Sequence, residues 1–301
     1  MIDEIQQIKK EVVEILKRLE FLEQNLASDS PEKSLIKQDD FKILKSLLDS
    51  EDWPEAVPEF QITDESNESD KDERAETIAD LFVVLSPGKK FLDFGCGEGH
   101  VAKHISKSNF AVGYDISPPK IKNSPWDAKY DSLVLTSEFD VVKSNGPYDE
   151  ILIYDVLDHA EDPVGVLKMA KSVLSENGLI RVRCHPWCSR HGGHLYRQIN
   201  KAFVHLVFNE LELSEMGIVY DNTIKRKVIY PIATYEKYIA QANLSKISIE
   251  ADNQEPESFF SETPIVAERI KLSLPEDDGT KRRQEFPSFQ IQQCFLDFVL
   301  R

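Results

Sequence analysis

The stretch from Asp93 to Gly99 reads D-F-G-C-G-E-G and combines acids with three glycines at alternate positions. Glycine has no Cβ and adopts positive φ freely, so Gly95, Gly97 and Gly99 predict a tight turn across which a bulky ligand can lie. The spacing differs from the G-x-G-x-x-G fingerprint that holds a pyrophosphate at a helix N-terminus. Acids at such a turn favour a cationic ligand, such as a sulfonium, over a phosphorylated one.

Further acids follow the next two apolar runs. Asp115 comes directly after residues 110–114, and an acid at that point can accept hydrogen bonds from two ribose hydroxyls. The apolar run 151–154 leads into D-V-L-D-H at residues 155–159. A plain tight turn with strand-end acids is the simpler interpretation, but it requires these features to fall in register by coincidence.

With these motifs in this order, the chain resembles the class I S-adenosylmethionine-dependent methyltransferases. The resemblance covers residues 89–186 and continues in outline over residues 234–301. It implies a Rossmann-like, seven-stranded α/β sheet with helices on both faces and S-adenosyl-L-methionine as the cofactor. The cofactor-binding residues that it implies are Asp93, Gly95, Cys96, Gly97, Gly99, Asp115, Ile116, Glu138, Phe139, Tyr154 and Asp155.

Methyl transfer from a sulfonium needs a nucleophile held in line, roughly 3 Å from the methyl carbon. An alcohol or a protonated amine also needs a base, and histidine suits that role near neutral pH. The predicted catalytic candidates are His185, His191 and His194, in a segment that leaves the usual course of the family. Gly192 and Gly193 let this segment fold over the pocket, so we expect an insertion that forms a substrate wall or lid. His159 is interpreted as structural.

The same segment offers metal ligands. Four of Cys184, His185, Cys188, His191 and His194 could bind zinc tetrahedrally. However, Cys184 and His185 are neighbours at a predicted strand end and point to opposite faces. The paired C-x-x-C of a typical zinc site is also missing, so we predict no metal. Simple loop packing remains an alternative to a catalytic role.

Strands and helices alternate through the centre of the chain, which specifies a parallel sheet covered on both faces. Strands are predicted at 91–94, 111–115, 132–136, 151–154, 179–184, 246–250 and 290–300, with partial pairing at 265–274. Helices are predicted at 39–48, 74–85, 99–107, 163–177, 197–208 and 233–244, and the polar segment 63–73 is expected to be mobile. The predicted division is a linker with accessory helices at 31–88 and a methyltransferase domain at 89–301, with insertions at about 187–232 and 253–288.

Residues 1–26 carry a heptad repeat. Apolar residues occupy positions a and d, namely Ile5, Val12, Leu19 and Leu26 at a, and Met1, Ile8, Ile15 and Leu22 at d. This pattern predicts a coiled-coil helix over residues 1–30 that assembles a homo-oligomer. Isoleucine at both positions favours a trimer over a dimer. An amphipathic helix lying on its own domain is the alternative, because the repeat lasts under four heptads.

The amino-acid composition limits the kinds of partner and the cellular location that we expect for this chain. The chain has 53 acidic and 36 basic residues, a formal net charge of −17, which disfavours a nucleic-acid partner. Four cysteines are too few for a disulfide scaffold. No apolar run reaches the ~18 residues of a membrane span, so we expect a cytoplasmic protein without membrane association. The expected acceptor is a small molecule or a saccharide. The alternatives are an oligomeric assembly protein that retains the fold and, third, a nucleic-acid methyltransferase.

Overall fold

The computed structural model describes residues 38–57, 67–82, 87–119, 124–185, 189–220, 232–253, 257–273 and 293–301. The chain forms two compact units, Met1–Ser50 and Glu51–Arg301. In the first unit, helix α1 spans Gln38–Leu48 and buries Leu44 and Leu48, in agreement with the predicted helix 39–48. The coiled coil predicted for residues 1–30 lies outside the described residues.

The second unit is built on a seven-stranded sheet. Its strands are β1 (Lys90–Phe94), β2 (Phe110–Tyr114), β3 (Leu133–Thr136), β4 (Tyr148–Tyr154), β5 (Leu174–Cys184), β6 (Lys246–Asn253) and β7 (Gln293–Leu300). The order is β3-β2-β1-β4-β5-β7-β6, with β1 to β5 parallel and β7 antiparallel to both β5 and β6. The predicted Rossmann-like sheet is therefore confirmed, and its strand order reverses between β1 and β4, where such sheets bind ligands.

Helices cover this sheet and extend beyond it. They are α2 (Glu68–Phe82), α3 (His100–Ile105), α4 (Phe139–Asn145), α5 (Pro163–Ser172), α6 (Val204–Val207), α7 (Glu210–Glu215), α8 (Ile232–Gln241), α9 (Glu257–Glu262) and α10 (Pro264–Ser273). Among the described residues, no helix has both the length and the apolar stretch that a membrane crossing needs.

The continuous apolar character of β4 follows from its burial on both faces. Ile151 and Ile153 belong to one hydrophobic cluster together with Phe298 of β7. Leu152, between them, belongs to the cluster on the opposite face, where Ile78 of α2 packs. Alternate side chains thus fill two cores, which fixes the carboxyl end of the strand and the acids that follow it.

One predicted helix differs because tertiary contacts decide the structure of its residues. The helix predicted at 197–208 is wrong: most of this stretch forms turns or irregular backbone, and only α6 is helical. The backbone N–H of Ala202 donates to Pro54 O at 2.8 Å, and that of Phe203 donates to Arg190 O at 2.8 Å. These long-range bonds replace the bonds that a continuous helix would form.

Three other predictions of secondary structure were also wrong. Residues 174–177, predicted as the end of a helix, begin β5, which reaches back to pair with Tyr148. The strand pairing predicted at 265–274 is replaced by helix α10. Helix α2 begins at Glu68, inside the segment expected to be mobile. Its Lys71 contacts Glu98 at 2.8 Å, and its Asp72 contacts Lys103 at 3.1 Å, so charged side chains order it through ion pairs.

The two segments predicted to be insertions pack against each other through short helices. Glu212 of α7 and Arg269 of α10 form a buried ion pair at 3.0 Å, and the rings of Phe203 and Phe260 lie 5.3 Å apart. Trp53 anchors these segments: its Nε1 donates to Ala202 O at 2.8 Å. The two segments thus have their own apolar and ionic contacts.

Candidate active site

The glycine turn after β1 has the left-handed backbone that its sequence predicts. The φ angles of Gly95, Gly97 and Gly99 are 85°, 51° and 86°. A Cβ on Gly95 would lie 2.2 Å from Val156 Cγ2, and one on Gly99 would lie 2.9 Å from Leu135 Cδ1. Both the backbone angle and the available space therefore require glycine at these two positions.

Asp115 holds this turn against the end of β2. Its Oδ2 accepts a hydrogen bond from Gly97 N at 2.9 Å, and its Oδ1 accepts one from Ser117 N at 3.3 Å. Trp126 Nε1 donates to Gly97 O at 3.0 Å, a contact that sequence reasoning missed. Ile116 is 86% exposed beside the acid and offers an apolar surface to a ligand.

Asp93 is buried at the end of β1, with 5% of its surface exposed. Burial raises the pKa of its carboxyl group from 3.8 to about 7, while a hydrogen bond from the Ala102 backbone opposes the rise and the charge of Asp115 adds to it. Its Oδ2 lacks a hydrogen-bond partner among the described residues. Burial likewise raises the pKa of the neighbouring Cys96 thiol, so this thiol stays protonated and is not a nucleophile.

The remaining predicted cofactor residues follow β3 and β4 at the same edge of the sheet. Glu138 N donates to Thr136 Oγ1 at 3.0 Å, and the ring of Phe139 packs 5.6 Å from that of Tyr114. Tyr154 ends β4, and Asp155 follows it with a left-handed φ of 55°. The predicted set therefore lies along the carboxyl ends of four adjacent parallel strands.

The three catalytic candidates come together with residues from D-V-L-D-H. We call Asp155, Asp158, His159, His185, His191 and His194 the histidine–aspartate cluster. His185 Nε2 lies 3.4 Å from Asp155 Oδ1 and 3.7 Å from Asp158 Oδ2. His191 Nε2 lies 3.4 Å from His185 Nδ1. The ring centroid of His194 is 5.2 Å from that of His185 and 4.8 Å from that of His159.

Sequence reasoning missed Asp158 and treated His159 as structural, although their i, i+3, i+4 spacing from Asp155 was a usable signal.

The segment from Ser189 to His194 reaches the cluster through tight turns, with Gly192 N donating to Ser189 O at 3.2 Å. A Cβ on Gly193 would lie 2.3 Å from the ring of His205, so glycine permits the close approach. His194 itself has φ 53°. Cys184 faces away, into the main hydrophobic core, as the strand geometry predicted; Cys188 lies outside the described residues.

Burial controls the protonation states of the cluster. It lowers the pKa of His185 well below its usual value, that of His191 to about 3 and that of His194 to about 4, with neighbouring histidines adding to each effect. Burial raises the pKa of Asp155 to about 7, against the opposing charges of Arg74 and Arg183, and raises that of Asp158 well above its usual value. The imidazoles of His185, His191 and His194 are therefore neutral near pH 7 and present nitrogen lone pairs.

A family model described as a methyltransferase domain matches residues 68–216. The chain belongs to the class I S-adenosylmethionine-dependent methyltransferase family. The matched residues include the glycine turn, Asp115 and the histidine–aspartate cluster. S-adenosylmethionine is the cofactor of this family, and the glycine turn of this methyltransferase domain fits such a group: the space beside Gly97 is open, and buried Asp93 Oδ2 has no hydrogen-bond partner among the described residues.

The methyltransferase domain also has curated relatives. The ubiquinone biosynthesis O-methyltransferase of Caulobacter sp. (strain K31) is 30% identical over 101 residues, which cover 32% of this chain and 40% of the relative. The enzyme of the same name from Vibrio campbellii is 28% identical over 97 residues, which cover 30% of this chain and 41% of the relative. The chain thus spans about 40% of the length of these curated relatives.

Solved methyltransferase structures are also similar to this chain. An S-adenosylmethionine-dependent methyltransferase from Archaeoglobus fulgidus has a TM-score of 0.45 at 13% identity, covering 76% of this chain and 93% of that one. Coclaurine N-methyltransferase bound to N-methylheliamine and S-adenosylhomocysteine has a TM-score of 0.46 at 12% identity, covering 89% of this chain and 80% of that one.

Proposed function

We propose that this protein transfers the methyl group of S-adenosylmethionine to an oxygen or nitrogen nucleophile of a small molecule or a saccharide. The observation that carries the proposal is the pairing of Asp115 with the glycine turn, through the 2.9 Å hydrogen bond from Gly97 N, within the matched domain. This bond holds the Asp115 carboxylate next to the exposed backbone of the glycine turn. Both lie beside the point where the strand order of the sheet reverses.

In this proposal each residue at the sheet edge has a distinct role toward the cofactor, which supplies an electrophilic methyl group when bound. The carboxylate of Asp115 accepts hydrogen bonds from the ribose hydroxyls. Exposed Ile116 packs against the adenine ring. Asp93 faces the positive charge of the ligand, which favours the ionised form of its buried carboxyl group. Gly97 leaves open space for the ligand, because a Cβ added there would meet nothing within 4 Å.

The acceptor is held, in this proposal, between the sheet edge and the segment that carries His191 and His194. Their neutral imidazoles, and that of His185, are placed to take the proton of an acceptor hydroxyl or ammonium group. Oxygen is the acceptor atom to test first, because the curated relatives are named as O-methyltransferases. The acidic chain favours a neutral or cationic acceptor over a polyanion.

Transfer of tritium from S-adenosyl-[methyl-³H]methionine to a panel of phenols, polyols, saccharides and amines tests this function. We expect turnover on at least one neutral, oxygen-bearing class, and no labelling of RNA or DNA at low salt. S-adenosylhomocysteine binding without turnover on any acceptor would instead support the assembly-protein alternative. Labelling of nucleic acid alone would contradict the proposed acceptor class.

A further inference from the structure

The histidine–aspartate cluster contains donor atoms arranged as for a metal ion. One ligand atom each from Asp158, His185 and His194 lies within 4.8 Å of the other two. Two donors on one first-row divalent ion, each about 2.1 Å from it, are about 3 to 4.2 Å apart, depending on the angle between them. The 3.7 Å between His185 Nε2 and Asp158 Oδ2 is already in this range. The third donor, from His194, lies within 4.8 Å of both, close to the upper end of this range.

Asp158 supplies a second, independent observation. Only 7% of its side chain is exposed, and neither carboxylate oxygen has a hydrogen-bond partner among the described residues. The basic side chains within 4 Å of it in that part of the chain are the histidines His159 and His185, at 3.4 and 3.7 Å, with no arginine or lysine. Buried acids are normally paired or bind a metal, because burial without compensation is costly. The position and surroundings of this carboxylate therefore point to a cation.

The ring of His185 is also oriented as a metal ligand requires. Its Nε2 faces the acids Asp155 and Asp158, while its Nδ1 lies 3.4 Å from His191 Nε2. Metal-binding histidines generally donate their second ring N–H to a neighbouring acceptor, which fixes the tautomer. His191 can accept that N–H, and it then acts as a positioning residue for His185.

A second group of possible ligands, Glu68, Glu98 and His100, shows the contrast. There the ammonium of Lys71 lies 3.0 Å from Glu68 and 2.8 Å from Glu98, so a cation of the chain itself already neutralises the acids. His100 Nδ1 lies 3.0 Å from Asp72. That group is explained as the ion-pair network that seats α2 on α3.

We propose that Asp158, His185 and His194 bind a divalent first-row transition-metal ion, and that an oxygen atom of the methyl acceptor completes its coordination. The donor set of two imidazoles and one carboxylate suits Zn²⁺, Mn²⁺ or Fe²⁺ better than the all-oxygen preference of Ca²⁺ or Mg²⁺. It differs from the cysteine-containing set considered from the sequence, and it replaces the expectation that no metal binds.

The part of this inference that concerns the methyl acceptor rests on the proposed function. With the ion bound, His185 and His194 act as its ligands and no longer as bases. The acceptor hydroxyl coordinates the ion, which lowers the pKa of that hydroxyl, and the hydroxyl releases its proton to solvent. The oxygen then forms a bond to the methyl carbon as the carbon–sulfur bond breaks, and neutral S-adenosylhomocysteine leaves. The ion acts as a Lewis acid without a change of oxidation state, so no oxidant or reductant is involved.

Metal binding is tested on the full, tag-free chain after removal of metals with a chelator. The probes are Zn²⁺ and Mn²⁺, titrated by calorimetry, with the bound ion counted by mass spectrometry. The test variants are Asp158→Asn and His194→Asn; asparagine suits position 194 because it tolerates the left-handed backbone there. His104→Asn, which removes a histidine whose ring lies beside Lys107, is the matched control.

We expect one ion per chain for the parent and for His104→Asn, and an affinity at least tenfold to a hundredfold weaker for each test variant. Removing the unpaired acid should also raise the melting temperature of the metal-free Asp158→Asn protein, while its metal-induced rise in melting temperature is lost. If Asp158 had only a structural role, its replacement would not both raise the melting temperature of the metal-free protein and abolish the metal-induced rise. S-adenosylhomocysteine affinity is measured on the same samples, so a failed cofactor proposal is distinguishable from a failed metal proposal.

Absence of Zn²⁺ and Mn²⁺ binding by the parent at micromolar concentration would overturn the metal site, as would test variants that keep the parental affinity. If the metal binds but does not change turnover of the acceptor, the proposed coordination of the acceptor oxygen is refuted and the metal site itself stands.

Discussion

Replacing Asp93 by asparagine should stabilise the cofactor-free protein and weaken cofactor binding. The carboxyl group is 5% exposed, and burial raises its pKa to about 7 from 3.8. At about 1.4 kcal/mol per pH unit, this difference corresponds to roughly 4 kcal/mol of destabilisation when the group is ionised in both states. Asparagine retains the shape and some hydrogen bonds without the charge.

The sign of the pH dependence follows from the raised pKa. Below the unfolded-state value of 3.8, both states are protonated and the penalty is absent. Between that value and about 7 the folded protein holds more protons than the unfolded chain, so its free energy of unfolding falls as pH rises. Relative to Asp93→Asn, the parent should lose about 2 kcal/mol between roughly pH 5.5 and 8.5.

Urea unfolding of the cofactor-free protein at these two pH values measures the effect. Asp80→Asn, on the exposed side of α2, controls for the loss of one negative charge. The Asp93→Asn variant should be more stable than the parent at the higher pH, yet bind S-adenosylmethionine about 1 to 3 kcal/mol more weakly. Equal pH dependence of the free energy of unfolding in the parent and Asp93→Asn would refute the reasoning. It would show that ionisation of Asp93 does not destabilise the folded, cofactor-free protein.

Three further predictions concern other parts of the chain. Asp115→Ala should weaken S-adenosylhomocysteine binding by about 1 to 3 kcal/mol, since it removes hydrogen bonds to the ligand; calorimetric affinity equal to the parent's would contradict its role. It also removes the bonds from Gly97 N and Ser117 N, so the free energy of unfolding should fall by about 1 to 3 kcal/mol. Arg269→Met should lower the free energy of unfolding by about 3 to 5 kcal/mol, because it leaves Glu212 buried without its partner; a change below about 1 kcal/mol in urea would show that the pair is not structural. The heptads predict that full-length protein is oligomeric by light scattering and that Ile15→Asp yields monomers; a monomeric parent would rule out the coiled coil.

The sequence sufficed for the parallel part of the fold because local signals agreed with the tertiary structure there. The apolar runs of β1, β2 and β4 are buried on both faces, and the glycines after β1 have the φ angles that their turn needs. Segments stabilised by distant partners could not be predicted in the same way. The stretch around Ala202 is bonded to Pro54, and the charged start of α2 is ordered by ion pairs with Glu98 and Lys103.

The same distinction holds for the candidate site. Asp93 and Asp115 were predicted because they follow strands, and the family resemblance supplied their roles. Asp158 was missed because its significance depends on burial beside His185, a residue distant in sequence. His194 was selected as a base, and only its proximity to the Asp158 carboxylate reveals it as a possible metal ligand. Spacing alone does not reveal which polar side chains the fold leaves without partners.

Calorimetric titration of the full chain with S-adenosylhomocysteine tests the central claim most directly. Gly95→Ala and Gly217→Ala form a matched pair, since both glycines have left-handed φ angles, 85° and 74°. Only at Gly95 would the added methyl group lie within 4 Å of a neighbour, Val156, in the proposed cofactor turn. We predict one saturable site per chain, lost in Gly95→Ala and retained in Gly217→Ala. No binding by folded parent protein at high micromolar ligand, or undiminished binding by Gly95→Ala, would contradict the proposed cofactor site.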